Sequence, residues 1–124
     1  MNNLSLNYSD LLDCLKGIAF EAGELILKIQ KEGYQIQEKS AHNFVTQADQ
    51  ASEKFLVQEL LKLVPGAGFL VEENTVSYQE SEYCWIIDPI DGTTNFIHSI
   101  PSFAISIALY KNQMPLLGLI YELN

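Results

Sequence analysis

The N-terminal part of the chain carries apolar side chains at steps of three and four residues. This spacing places them on one face of an α-helix. We predict a long amphipathic helix that has Ser9 or Asp10 as its cap and that ends at Gly33. Its buried face would consist of Leu11, Leu12, Leu15, Ile18, Ala19, Ala22, Leu25, Ile26 and Ile29.

A second helical pattern lies in the middle of the chain. This helix is predicted to begin between Thr46 and Asp49, and Pro65 and Gly66 would stop it. Asp49 lies three residues after Thr46, so its carboxylate could make a capping-box contact at the helix start. The apolar positions of the helix are Ala51, Phe55, Leu56, Leu60 and Leu63.

Towards the C-terminus the hydrophobic period changes to the alternation of a strand. Large residues alternate with smaller ones over residues 103–109, and the smaller side could lie under a helix. Lys111-Asn112-Gln113 is predicted to turn the chain into an antiparallel partner strand at residues 116–121. Two long helices packed on a mainly antiparallel sheet make an α+β fold. We expect residues 1–124 to form a single domain.

The charge of the chain argues against two classes of partner. Sixteen acidic residues against seven basic ones give a formal net charge of −9, which would repel nucleic-acid phosphates and anionic membranes. Cys14 and Cys84 lie in apolar segments without metal-binding spacing, which favours buried reduced thiols and a cytoplasmic location. No apolar run approaches the roughly 18 residues of a membrane span, so we expect a soluble protein.

Residues 85–96, WIIDPIDGTTNF, run an apolar strand directly into two carboxylates, a glycine and two hydroxyls. Pro89 fixes its own φ and keeps Asp88 extended, so we interpret Asp88-Pro89-Ile90-Asp91 as a strand end followed by a tight turn. Both aspartates could then point at one site. Oxygen ligands without a thiolate or imidazole nearby select a hard cation, and Mg2+ is the first candidate.

The residues after Asp91 favour an anion. Gly92, Thr93 and Thr94 offer a flexible backbone and several N–H groups. If a helix begins near Thr94, these donors and the helix dipole would favour a bound phosphate. Asp-Pro and Asp-Gly are also ordinary turn dipeptides, and either alone would be structural more often than catalytic.

Three motifs in order resemble those of one enzyme family. Residues 88–96 resemble, without a gap, the first signature motif of the inositol monophosphatase family of Mg2+-dependent, Li+-sensitive phosphatases. Residues 44–49, FVTQAD, look like the segment that carries a water-activating aspartate, and residues 69–73, FLVEE, look like the metal-binding Glu-Glu segment. Where that family usually has Gly before the Glu pair, this chain has Val71, which would be strained at positive φ.

The resemblance implies a role for each candidate site residue. The ligands of two Mg2+ ions would be Glu72, Asp88, the Ile90 carbonyl and Asp91. Asp49 and Thr93 would be the catalytic residues that orient the attacking water. Phosphate oxygens would be held at Gly92, Thr93 and Thr94. The implied reaction is Mg2+-dependent hydrolysis of a phosphate monoester, with inositol monophosphate as the first candidate.

Ordinary roles remain open for several polar residues. Glu72 and Glu73 could belong to a solvated acidic loop. Lys39 could be a solvated loop lysine or, by the resemblance, could face the active site. Surface or capping roles are expected for His42 and His98.

The resemblance covers only the N-terminal half of the family's layered αβαβα fold. The absent half would carry a Trp-Asp motif that completes the second metal site. We therefore expect this chain by itself to be inactive, and to form a homodimer or otherwise self-associate through uncovered sheet surface. Two alternatives remain: a non-enzymatic interaction or metal-binding module, and a phosphatase for nucleotides or sugar bisphosphates.

Overall fold

The computed structural model describes residues 7–34, 36–40, 43–73, 81–98 and 103–123, with the backbone alone at residues 37, 39–40 and 43–45. Its elements in chain order are α1 (Tyr8–Glu32), β1 (Ile36–Ser40), β2 (Asn43–Thr46), α2 (Gln47–Leu63), β3 (Gly68–Val71), β4 (Tyr83–Asp91), α3 (Thr93–Ile97), β5 (Phe103–Lys111) and β6 (Met114–Leu123).

The long helix α1 begins earlier than the sequence suggested. Asn7 is its N-cap, because the Asn7 side chain accepts hydrogen bonds from the backbone N–H groups of Ser9 and Asp10 at 3.1 and 3.2 Å. The predicted caps, Ser9 and Asp10, therefore lie inside the first turn. Gly33 ends the helix as predicted, with a φ of 98° that a residue with a side chain rarely adopts.

The second helix, α2, begins and ends where the sequence indicated. Thr46 is its N-cap and forms a capping box with Asp49, in which each side chain accepts a hydrogen bond from the backbone of the other residue. The helix ends at Leu63, just before Pro65. The predicted capping role of Asp49 is thus confirmed.

Four strands form the main sheet in the order β3-β4-β5-β6, and β1 and β2 form a separate antiparallel pair. β3 and β4 are parallel, whereas β4–β5 and β5–β6 are antiparallel, which confirms the expected mainly antiparallel sheet. β5 and β6 are joined by the predicted turn, where Asn112 and Gln113 have φ values of 49° and 67°. β6 begins at Met114, two residues before the predicted start.

The core lies between the two long helices and the large-residue face of the sheet. The buried side chains of this cluster include Leu15, Ile26, Leu56, Leu60, Trp85, Ile87, Ile105, Ile107 and Leu109. The prediction that a helix could lie over the smaller side of β5 is wrong for the described part of the chain, because these helices pack on the larger side. The larger side was preferred because it buries more apolar area.

The opposite face of the sheet, which we call the outer face, carries Ser106, Ala108, Gly118 and Ile120 around a shallow groove. Ile120 is 72% exposed, and Leu70 on β3 is 47% exposed. Exposed apolar side chains on a sheet favour association with another surface. This observation supports the expectation of an uncovered sheet surface.

Both cysteines are free thiols, and they differ in solvent exposure. Cys14 is exposed, so its predicted burial is wrong, while Cys84 is half-buried. Cys14 lies three residues after Leu11 and four before Ile18, so it borders the buried stripe of α1 at its solvent-exposed edge. None of the helices described is both long enough and apolar enough to span a bilayer.

Candidate metal and phosphate site

Parallel pairing of β3 and β4 brings two of the predicted metal ligands to the same edge of the sheet. Val71 is opposite Ile87 in the last pair of the register, so Glu72 and Asp88 follow at the same edge, where the charge of Glu72 acts on Asp88. Val71 is the last residue of β3 and is not among the residues with positive φ. The strain expected from Val71 in place of glycine is therefore absent.

The segment between Asp88 and Asp91 is an irregular strand rather than the predicted strand end with a tight turn. β4 continues through Asp91, but its pairing with β5 shifts register between Asp88 and Asp91. Such a bulge re-aims side chains at the end of a strand. The Ser52 hydroxyl of α2 donates a hydrogen bond to the Pro89 carbonyl at 3.1 Å, which holds the middle of the bulge.

Gly92 makes the sharp turn from β4 into the short helix α3. Its φ of 95° and ψ of 41° lie in the left-handed region, which glycine adopts without strain. α3 begins at Thr93, one residue before the predicted start near Thr94. The first N–H groups of a helix have no partner within it, so those of Thr93 and Thr94 can serve an anion.

Aromatic packing fixes α3 on the protein. Phe96 is fully buried, and its ring lies 5.1 Å from that of Tyr34 and 5.3 Å from that of Phe103. The Gln30 side chain donates a hydrogen bond to the Phe96 carbonyl at 3.2 Å. The end of α1 thus holds the helix whose first residues are the predicted phosphate ligands.

The two predicted catalytic residues are in direct contact. The Thr93 hydroxyl donates a hydrogen bond to one carboxylate oxygen of Asp49 at 2.9 Å and lies 3.2 Å from the Ile90 carbonyl. The other oxygen of Asp49 accepts hydrogen bonds from the Thr46 N–H at 2.9 Å and the Thr46 hydroxyl at 2.7 Å. Asp49 is only 2% exposed, so the capping box also fixes the carboxylate that Thr93 contacts.

Negative charge accumulates around Asp88. Burial, followed in size by the charges of Glu72 and Asp91, raises the pKa of this carboxyl from 3.8 to about 6. A hydrogen bond from the Ile90 backbone opposes this shift, and Asp49 adds a smaller repulsion. Two of the other predicted metal ligands, Glu72 and Asp91, thus act electrostatically on Asp88.

The chemistry of these residues fits a hard divalent cation. Carboxylate and carbonyl oxygens are the ligands that Mg2+ prefers, and a cation would offset the repulsion that raises the pKa of Asp88. Within the described residues, however, no three His, Cys, Asp or Glu side chains are grouped closely enough to make a ready metal centre. The donor types are therefore present at one edge, and binding would require the side chains to converge.

Sequence reasoning missed two polar residues on the buried face of α2. Ser52 and Glu53 are both 0% exposed. A Glu53 carboxylate oxygen accepts a hydrogen bond from the Glu73 N–H at 2.7 Å, and Ser52 binds the Pro89 carbonyl as described above. The available signal was their spacing of three and four residues from Asp49, which places all three side chains on one helical face.

The remaining polar candidates are peripheral or undescribed. Glu72 is exposed and Glu73 is half-buried. His98 is exposed and follows α3 as its C-cap, which confirms the expected surface or capping role. His42 and the side chain of Lys39 lie outside the described residues.

Comparison with known sequences identifies the family. The sequence model of the inositol monophosphatase family matches residues 7–123, which is nearly the whole chain. The chain belongs to the inositol monophosphatase family. It matches the N-terminal part of that family.

Individual relatives agree with this assignment. The inositol-1-monophosphatase of Mesorhizobium japonicum is 40% identical over 117 residues, covering 92% of this chain but 44% of the relative. The fructose-1,6-bisphosphatase/inositol-1-monophosphatase of Aquifex aeolicus is 35% identical over 119 residues, covering 93% of this chain and 44% of the relative. The chain therefore spans less than half the length of the family members it matches.

The fold also agrees with a solved structure of the family. The extragenic suppressor protein suhB from Bartonella henselae superimposes with a TM-score of 0.83 at 36% sequence identity. The match covers 91% of this chain and 45% of the suhB chain. The helices and the mostly antiparallel sheet described above are thus a recurrent half of the inositol monophosphatase fold.

Proposed function

We propose that this chain supplies the metal-binding and water-orienting half of a phosphatase that hydrolyses a phosphate monoester with Mg2+. The observation that carries the proposal is the hydrogen bond between Thr93 and Asp49. It joins the predicted water-orienting carboxylate to the start of α3, next to the sheet edge where Glu72 and Asp88 follow the last paired residues of β3 and β4.

The proposed ligands of a first Mg2+ are Glu72, Asp88 and the Ile90 carbonyl, while Asp88 and Asp91 would share a second. The Ile90 carbonyl already lies 3.2 Å from the Thr93 hydroxyl. A carbonyl oxygen has two lone pairs, so this contact is compatible with a further ligand. When bound, Mg2+ lowers the pKa of water and stabilises charge on phosphate oxygens.

The proposed task of Asp49 and Thr93 is to orient the attacking water. Because the Thr93 hydroxyl proton is directed at Asp49, the lone pairs of the Thr93 oxygen are left to accept a hydrogen bond from that water. The negative charge of the Asp49 carboxylate favours this orientation of the Thr93 hydroxyl, and the carboxylate can accept a proton in turn. N–H groups of Gly92, Thr93 and Thr94 would hold phosphate oxygens at the start of α3.

Inositol monophosphate is the substrate we propose first, because the Mesorhizobium relative bears the name of an enzyme for it. The double name of the Aquifex relative supports sugar bisphosphates as the alternative substrate class. The chain's negative charge and its free cysteines favour a small-molecule substrate and a cytoplasmic location. A non-enzymatic interaction role is the second candidate, since the Bartonella relative is named as a suppressor protein rather than an enzyme.

Asp91→Asn tests the proposal in a polypeptide that continues this chain to the length of its relatives. A suitable one is a fusion to the C-terminal remainder of the Mesorhizobium protein. We expect Mg2+-dependent hydrolysis of inositol monophosphate to fall about a thousandfold, which corresponds to about 4 kcal/mol of transition-state stabilisation. Asp13→Asn, an identical change on the exposed side of α1, is the control. Undiminished kcat in a folded Asp91 variant would contradict the assignment.

A further inference from the structure

One face of α2 contacts every segment that contributes to the proposed site. Asp49 binds Thr93 at the start of α3, Ser52 binds the Pro89 carbonyl between Asp88 and Asp91, and Glu53 binds the N–H of Glu73. Ser52 and Glu53 lie three and four residues after Asp49. They therefore lie along one side of a single rigid helix.

The burial of Ser52 and Glu53 is unusual for a helix that packs on a hydrophobic core. Farther along the same face, α2 buries Leu56, Val57 and Leu60. Hydroxyl and carboxylate groups at fully buried positions are unfavourable unless hydrogen bonds compensate for lost water. The two hydrogen bonds given above are made to backbone atoms of the site segments, so their formation depends on where those segments lie.

The contacts act on backbone atoms adjacent to the proposed ligands. Glu73 follows Glu72 directly, and its N–H lies 2.7 Å from the Glu53 carboxylate, a short and charge-assisted contact. Pro89 follows Asp88 directly and lies within the bulge. A backbone fixed one residue away restricts where the Glu72 and Asp88 side chains can reach.

We propose that Ser52 and Glu53 are positioning residues of the metal site, which set the separation between the Glu72 segment and the Asp88–Asp91 bulge. This inference rests on the proposed function, because it assigns the two residues to that same metal site. Neither residue is a metal ligand. Each acts through a backbone group beside a ligand, in the way that outer-shell hydrogen bonds tune metal affinity.

The test uses four variants of the 124-residue chain. Ser52→Ala removes the hydrogen bond to the Pro89 carbonyl and Glu53→Met removes the hydrogen bond from the Glu73 N–H, whereas Glu53→Gln keeps an oxygen that can accept from Glu73. Val57→Ala is the matched control, since Val57 is buried on α2 and makes none of the three hydrogen bonds described above. The Val57→Ala change lowers stability by removing buried apolar volume, and it leaves the hydrogen bonds of Ser52 and Glu53 in place.

The first measurement needs no metal. Amide hydrogen exchange, followed by NMR, should show the Glu73 N–H exchanging at least about tenfold faster in Glu53→Met than in the wild type. Glu53→Gln should restore protection, and Val57→Ala should leave the rate of Glu73 relative to its neighbours unchanged. Equal protection of the Glu73 N–H in Glu53→Met and in the wild type would show that the hydrogen bond to Glu53 does not hold the Glu72–Glu73 segment in place.

The second measurement is Mg2+ affinity, from the shift of backbone amide signals during titration. Ser52→Ala and Glu53→Met should raise Kd about tenfold, whereas Glu53→Gln and Val57→Ala should stay close to the wild type. An equal loss of Mg2+ affinity in Val57→Ala would indicate general destabilisation and would overturn the proposal. An unchanged Kd in both Ser52→Ala and Glu53→Met would also overturn it. A wild-type chain without any Mg2+ response would instead refute the proposed metal site, and the exchange result alone would then decide whether Glu53 positions the segment.

Discussion

Asp88 gives the most quantitative prediction, because its pKa connects the geometry of the site to the stability of the fold. Burial and the charges of Glu72 and Asp91 raise this pKa from 3.8 to about 6. The folded protein therefore holds the Asp88 proton more strongly than the unfolded chain. The resulting stability is present below pH 3.8 and is lost as the pH rises through about 6.

The change to make is Asp88→Asn, which keeps the size of the side chain and removes its charge. One pKa unit corresponds to about 1.4 kcal/mol, so the full shift would amount to about 3 kcal/mol. Because Asp88 is only half-buried, solvent screening reduces this to about 1–2 kcal/mol. We expect the variant to gain stability relative to the wild type as the pH rises. The free energy of unfolding of Asp88→Asn minus that of the wild type should increase by this amount between pH 4 and pH 7.

Urea denaturation at a series of pH values, with a chelator present, measures this difference. Trp85 is the only tryptophan and is fully buried, so its fluorescence reports global unfolding. Asp13→Asn shows how the same chemical change acts at an exposed position on α1. A difference between Asp88→Asn and the wild type that stays constant from pH 4 to pH 7, or that moves in the opposite direction, would refute the electrostatic reasoning.

Two further predictions concern packing within the fold and association between chains. Gly23→Ala should lower the free energy of unfolding by about 1–3 kcal/mol, because the new Cβ would lie 2.7 Å from the Tyr121 ring and 2.9 Å from Leu123. Gly17→Ala, in the same helix with no atom within 4 Å, should raise it by about 0.5–1 kcal/mol; urea denaturation that ranks the two alike would disprove the packing argument. Ile120→Lys should reduce self-association of the 124-residue chain through the outer face, since Ile120 is 72% exposed. Analytical ultracentrifugation at several concentrations measures this, and a wild-type chain that stays monomeric throughout would contradict it.

The sequence by itself determined the elements whose signals are local. The periodicity of α1, the capping box at Thr46 and Asp49, and the turn at Asn112 and Gln113 each depend on residues a few positions apart. The motif at residues 88–96 indicated the chemistry of the site for the same reason, since its ligand types are adjacent in the chain. Local patterns are less exact at boundaries, where Asn7 rather than Ser9 or Asp10 became the cap of α1.

Only the tertiary structure decided how the site segments meet. Thr93 contacts Asp49 across 44 residues of sequence, and Glu53 contacts Glu73 across 20. These contacts depend on parallel pairing of β3 with β4 and on the packing of α2 against the sheet, which no local pattern encodes. The same packing selected the larger side of β5 for the core, because burying it removes more apolar area from water.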